Sequence, residues 1–198
     1  MTRAAIAEQR TLRRAQAHAA TRGAILDAAR RVAARDGEVS LRGVAAEAGF
    51  APAALYGYFS GKDDLLLALA AEELTQLARA MREASAHAAG EGRLAAAANA
   101  ALSNLSGTDA LAAALSALPA EPGAREAERL FNGRLIAVLK VLSEASGKPA
   151  ASRADQCDVV LLAAAVGGLA LLARSGRLDA LGFTRDEILA RLEAHFAA

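Results

Sequence analysis

Apolar residues recur along this chain at the 3.6-residue spacing of a helix, and polar and apolar positions nowhere alternate long enough to argue a strand. Ile25, Leu26, Ala29, Val32 and Ala33 form one stripe, predicting a helix from Thr21 to about Arg35 that Gly37 ends. The residues before Thr21 either prolong this helix or stay disordered. Ser40 suits the N-cap of a short helix over 41–48, which Gly49 closes. Pro52 stands at a first helical position and opens another helix to about Tyr58. Ser60 with Asp63 resembles a capping box and starts a helix near Gly61 or Lys62. That helix carries Leu66, Leu69, Leu74, Leu77 and Met81 on one face and runs to about Ala88. Further helices are expected over 93–105, 109–118, 122–145, 152–175 and 184–196. The last two open on the pairs Ser152/Asp155 and Thr184/Glu187. About nine helices in all, with no repeat at a solenoid period, make the chain all-α.

Composition agrees. The 198 residues suffice for one large or two small domains, and alanine and leucine, both helix formers, dominate while aromatic residues make up 4%. The single cysteine, Cys157, rules out an internal disulfide and is expected to be a buried small apolar residue. The first residues lack the apolar segment of a signal peptide. The longest apolar run, Val159–Ala173, falls short of the roughly 20 residues a bilayer span needs. A cytoplasmic protein is the expectation.

Charge changes the picture, because the net +1 hides a division. Residues 1–62 hold ten Arg or Lys against five acids, a net of +5; of the chain's 23 basic and 22 acidic residues, 13 and 17 remain, a net of −4. A basic head on an acidic body suits a module that binds a polyanion, joined to something else. Arg3, Arg10, Arg13 and Arg14 of the preceding arm suit phosphates whether or not the arm is helical.

The two short helices meet the demands of a helix-turn-helix, in which some positions must be small and others apolar. Ala45 supplies the small contact, Gly49 can take the positive φ of the turn, and Val44, Ala48, Phe50, Leu55 and Tyr58 supply an inner surface. The run from Thr21 to Leu66 resembles the DNA-binding domain of the TetR/AcrR family of bacterial transcriptional regulators. The likeness rests on Ile25-Leu26-Asp27-Ala28-Ala29, Val44-Ala45 with Ala48-Gly49, and Leu55-Tyr56 followed by Tyr58-Phe59 and Lys62. It implies an arm over 1–20, a three-helix domain over 21–67 with its motif at 40–59, and a larger helical ligand-binding and dimerisation domain over 68–198. It also implies a homodimer on palindromic double-stranded operator DNA, released by a small effector, with no enzymatic activity, cofactor or metal.

Carried over by position, the resemblance places Tyr56, Tyr58 and Lys62 on phosphates, where phenolic hydroxyls and a helix N-terminus also favour anions. Arg42 can reach a base edge or a phosphate, and Ser40 and Ala51, within the motif, are also expected on the DNA-binding surface. The methyls of Ala53 and Ala54 can touch thymine methyls, while Gly57 lets the backbone come close to DNA. Three departures stand out. Only Glu38 and Val39 separate Gly37 from Ser40, Ala51 replaces a common Ser, and Tyr58 replaces a common His. With so bare a reading helix, phosphate contacts and DNA shape should supply much of the specificity.

In the body, Met81, Leu102, Leu105, Leu115, Leu118, Phe131, Leu135 and Cys157 are candidates for an apolar ligand pocket, with Asn99, Asn104 and Asn132 as polar contacts and a mostly apolar effector as the default. The dimer surface is expected on 152–175 and 184–196, the latter through Leu189, Leu192 and Phe196. Helix 62–88 is the expected lever between head and body. Other chemistries lack support. "GYFSGKD" (57–63) is one residue short of a P-loop and follows no strand, and His18, His87 and His195 do not pair at metal-ligand spacing. The rival readings are a helical adaptor or membrane-surface protein using its basic arm on acidic lipid, and an all-α enzyme that no residue group supports.

Overall fold

The computed structural model describes residues 3–88, 92–105, 111, 126–148 and 150–197, and among them all regular structure is helical. Nine helices are seen among the described residues: α1 Arg3–Asp36, α2 Leu41–Ala48, α3 Pro52–Leu55, α4 Lys62–His87, α5 Arg93–Leu105, α6 Glu126–Ser146, α7 Arg153–Arg174, α8 Arg177–Ala180 and α9 Arg185–Phe196. The helix expected over 109–118, with Leu115 and Leu118, lies outside the described residues apart from Leu111. The described residues up to Leu69 form one compact unit, and those of 70–108 and 123–198 a second.

Local chemistry accounts for most helix ends. Ser40 accepts a hydrogen bond from the Gly43 N–H at 3.1 Å and starts α2. At its far end Gly49 adopts φ 74°, a left-handed conformation that a side chain would resist. Ser152/Asp155 and Thr184/Glu187 form complete capping boxes at α7 and α9. Ahead of α4 the expected pairing differs by one residue: the carboxylate that accepts from the Ser60 N–H is that of Asp64, at 2.8 Å, in place of Asp63. α3 is shorter than its sequence suggests, because Gly57 and Tyr58 close it as a turn. α8, which no periodicity announced, is a single turn between Gly176 and Leu181.

In the second unit α5 packs against α6, α7 and α9. Its start is capped from afar, since the Glu193 carboxylate of α9 accepts from the N–H groups of Gly92 and Ala95. The interior takes Leu94, Ala98 and Leu102 from α5, Phe131, Val138 and Leu142 from α6, and Leu162 and Val166 from α7.

Several expectations for this unit are corrected. Cys157 is exposed, because it falls on the outer side of α7, opposite the inward row Val159, Leu162, Val166 and Ala170. Leu189 and Leu192 of α9 are buried within their own chain, so they present no outward stripe; the exposed apolar residues near α9 are Leu181 and Phe183. Asn99, Asn104 and Asn132 lie on the surface, and Asn104 bonds back to the Ala100 carbonyl. His87 is exposed, with Nδ1 2.6 Å from the Glu83 carbonyl oxygen.

Candidate nucleic-acid interface

Beneath the helix-turn-helix lies a continuous apolar core. Ile25, Leu26, Ala29 and Val32 of α1 meet Val44 and Ala45 of α2, Leu55 of α3 and Leu65 and Leu69 of α4. Phe59, passed over in the sequence, is fully buried among them, and the guanidinium of Arg22 stands 4.9 Å over its ring. Ala33, Ala48, Phe50 and Tyr58 pack at the edge of this core and are only partly buried. Ala45 is wholly inaccessible, as a close crossing of α1 and α2 requires.

With Leu55 turned inward, the outer side of α3 and its neighbourhood is left to solvent. Ala51, Ala53, Ala54 and Gly57 are exposed, and Tyr56 is 63% exposed. Ala51 offers no side-chain cap, so α3 begins on Pro52 alone. Ser40 and Arg42 are also exposed at the start of α2. Tyr58 is half-buried and stacks on His18 of α1, the ring centroids 4.6 Å apart and the planes inclined by 26°. A Cβ added at Gly57 would meet nothing closer than the Ala54 carbonyl oxygen at 3.4 Å, so the fold alone does not demand glycine there.

Ion pairs divide the basic residues of the head. Arg31 and Arg35 both donate to Glu47, at 2.8 and 2.9 Å, and tie α1 to α2. The Glu47 carboxyl is held below its ordinary value by the bond from Arg31 and then that from Arg35. Lys62 Nζ lies 2.9 Å from Glu38 Oε1, and this bond lowers the Glu38 carboxyl likewise. The short link Glu38-Val39 explains the contact: Val39 is buried, which leaves its neighbour Glu38 outside and beside the start of α4. The Lys62 ammonium therefore has a carboxylate beside it at the start of α4. His18, Arg22 and Glu38 are thus members of this surface that sequence reasoning did not assign.

Of the residues named for a ligand pocket, Leu115 and Leu118 lie outside the described residues, and the others differ in burial. Met81, Leu102 and Phe131 are fully buried, Leu105 and Leu135 are half-buried, and Cys157 is exposed. Cys157 instead lines a groove of about 780 Å³ on α6 and α7, with Ile136, Leu139, Lys140, Val160 and Leu161.

Residues 25–69 match the family described as "Bacterial regulatory proteins, tetR family". No curated protein matches the chain in sequence. Among solved structures, the chain is similar to a protein of unknown function from Rhodococcus sp. RHA1, at 27% identity, covering 89% of this chain and 93% of that one with a TM-score of 0.66. It is also similar to the transcriptional regulator FadR from Bacillus subtilis, solved in complex with stearoyl-CoA, at 19% identity, with 88% and 97% covered and a TM-score of 0.60. A TetR-family transcriptional regulator from Streptomyces coelicolor is 18% identical, with 89% and 95% covered and a TM-score of 0.58. The last two likenesses speak for the fold.

Proposed function

By its residues 25–69 the chain belongs to the tetR family of bacterial regulatory proteins, and we propose that it is a dimeric repressor that leaves palindromic operator DNA when a small molecule binds its body. The carrying observation is the surface of the helix-turn-helix: a fully buried Leu55 beneath exposed Ala53, Ala54 and Tyr56, with Arg42 exposed at the start of α2. Methyl groups and a phenol with little polar reading chemistry suit contacts to thymine methyls and phosphates, with DNA shape contributing strongly. Ser40, Tyr58 and Lys62 complete the proposed phosphate-facing set.

For the dimer, α7 supports the reading with an outward apolar stripe opposite its buried row. Cys157, Val160, Leu161, Ala164, Gly167, Gly168, Leu171 and Leu172 fall on one side at helical spacing, and all are exposed. Gly167 and Gly168 add open space where a second helix could approach closely. This helix is also long and apolar enough to cross a bilayer, with a mean hydropathy of 2.0 over its most apolar 18 residues. Its two-sided pattern, one face packed on α5 and α6, suits a protein partner better than lipid. If a second copy held by α7 places the two reading helices about 34–36 Å apart, they meet successive major grooves on one face of the DNA. An effector that favours another spacing weakens DNA binding by the same factor by which DNA weakens the effector.

α4, which contributes residues to both units, is the proposed lever. Beside the buried Met81, one turn along α4, the Ser85 hydroxyl is buried without a hydrogen-bond partner among the described residues. That combination supports a mostly apolar effector bearing a polar group. FadR of Bacillus subtilis, a relative in fold, holds stearoyl-CoA. The cytoplasm is the compartment in which such a regulator meets DNA.

The decisive test is selection of bound duplexes from a random pool by the full chain, followed by titrations over a salt series. A two-fold symmetric site whose affinity falls steeply with salt is expected. Equal affinity for every sequence would remove the repressor reading.

A further inference from the structure

We propose that residues 7–20 of α1 are a second DNA-binding element, a helical arm whose arginines hold backbone phosphates outside the segment read by α2 and α3. The proposal rests on the DNA-binding reading above and adds to it a site that the match over residues 25–69 does not include.

α1 is a continuous helix of 34 residues, and every residue from Ala7 to Ala20 is exposed. The arm therefore runs past the head's core, with His18 near its end stacked on Tyr58. Its composition of alanine, arginine, glutamine and leucine sustains a helix, and the packed half of α1 supplies the nucleus that an isolated segment would lack.

The arm's charge is sorted by face. Arg10, Arg13 and Arg14 share one side, whereas Glu8 and the exposed Leu12 occupy the other. Arg10, Arg14, His18 and Arg22 follow one another at four-residue intervals, forming a single row along the helix. The row ends on the motif itself: His18 stacks on Tyr58, and Arg22 lies over Phe59. The row winds about 120° around the helix between Arg10 and Arg22, and so leads from the basic side of the arm to the contacts with the end of the reading segment. Arg31 and Arg35, further along α1, are neutralised by Glu47 and Asp36. Arg10, Arg13 and Arg14 have no acid beside them among the described residues.

Fourteen helical residues span about 21 Å. Along a duplex that rises about 3.4 Å per base pair, the arm can follow up to about six further pairs. Guanidinium groups so placed engage phosphates of any sequence, so the arm adds affinity and leaves base preference to α3.

The test uses the full chain carrying R10A, R13A and R14A together. Alanine preserves the helix and the side chains removed are exposed, so circular dichroism and melting should match the parent. Both proteins are titrated with the selected site in two forms, one with long flanks and one trimmed to the palindrome. On the long duplex the variant should bind about tenfold or more weakly, and its log–log salt slope should be shallower by up to about 2.7 per protomer. The selected sequence should not change, and trimming should weaken the parent but not the variant. A variant with the parent's slope and affinity on the long duplex overturns the arm while leaving the repressor reading intact. So does a loss seen only with vesicles containing phosphatidylserine, which assigns the arm to an anionic membrane. A parent that binds no duplex overturns both readings.

Discussion

At the scale of single residues, the contact with most consequence for binding is Glu38 on Lys62. It arises because two residues, one of them buried, bridge Gly37 and Ser40, which sets a carboxylate on the cation carried to phosphate by resemblance. Replacing Glu38 by Gln removes the competitor, and DNA affinity should rise by up to about fivefold, the scale of a surface ion pair. Titration of the variant against the selected duplex checks this. Glu47 acts differently. Its bonds from Arg31 and Arg35 hold its folded carboxyl below the ordinary 4.5, so the stabilisation is present above that value and fades as pH falls below it. Glu47→Gln should melt at a lower temperature than the parent near neutral pH, and the gap should close as the solution is acidified below pH 4.5.

At the scale of elements, α3 is a single turn and cannot stand alone. Burial of Leu55 within it and of Phe59 just after it holds the segment onto α1, α2 and α4. Phe59→Ala should therefore cost about 3–5 kcal/mol, read as a shift in the denaturant midpoint at an unchanged slope. Pro52 and Gly49 mark the ends of the motif by local chemistry alone, so its place was legible. Phe59's role was not: nothing in the run Tyr58-Phe59-Ser60 says which of two adjacent aromatics turns inward. In the fold Phe59 fills the core, while Tyr58 is left at its edge to meet His18 forty residues earlier.

At the scale of the whole molecule, the outer side of α7 is apolar and exposed, and a second copy is proposed to cover it. If one does, Leu171→Arg places a charge in the seam and yields a monomer by sedimentation, with loss of binding to the palindrome. A variant that remains dimeric would move the interface elsewhere. The same helix shows why the reading of the body was uneven. Its composition announced a hydrophobic helix, but the division between a buried row and an exposed stripe depends on what packs against it, and that moved Cys157 from the interior to the outside.

The sequence by itself determined the all-helical class, the basic head, most helix boundaries and the motif, because propensity, capping and 3.6-residue periodicity act between residues a few positions apart. Only the tertiary structure decided the contacts between distant positions: Glu38 against Lys62, His18 against Tyr58, and Glu193 over the start of α5. It alone also turned Leu189 and Leu192 inward. Each depends on where separate helices come to lie, and a local pattern carries no record of its distant neighbours.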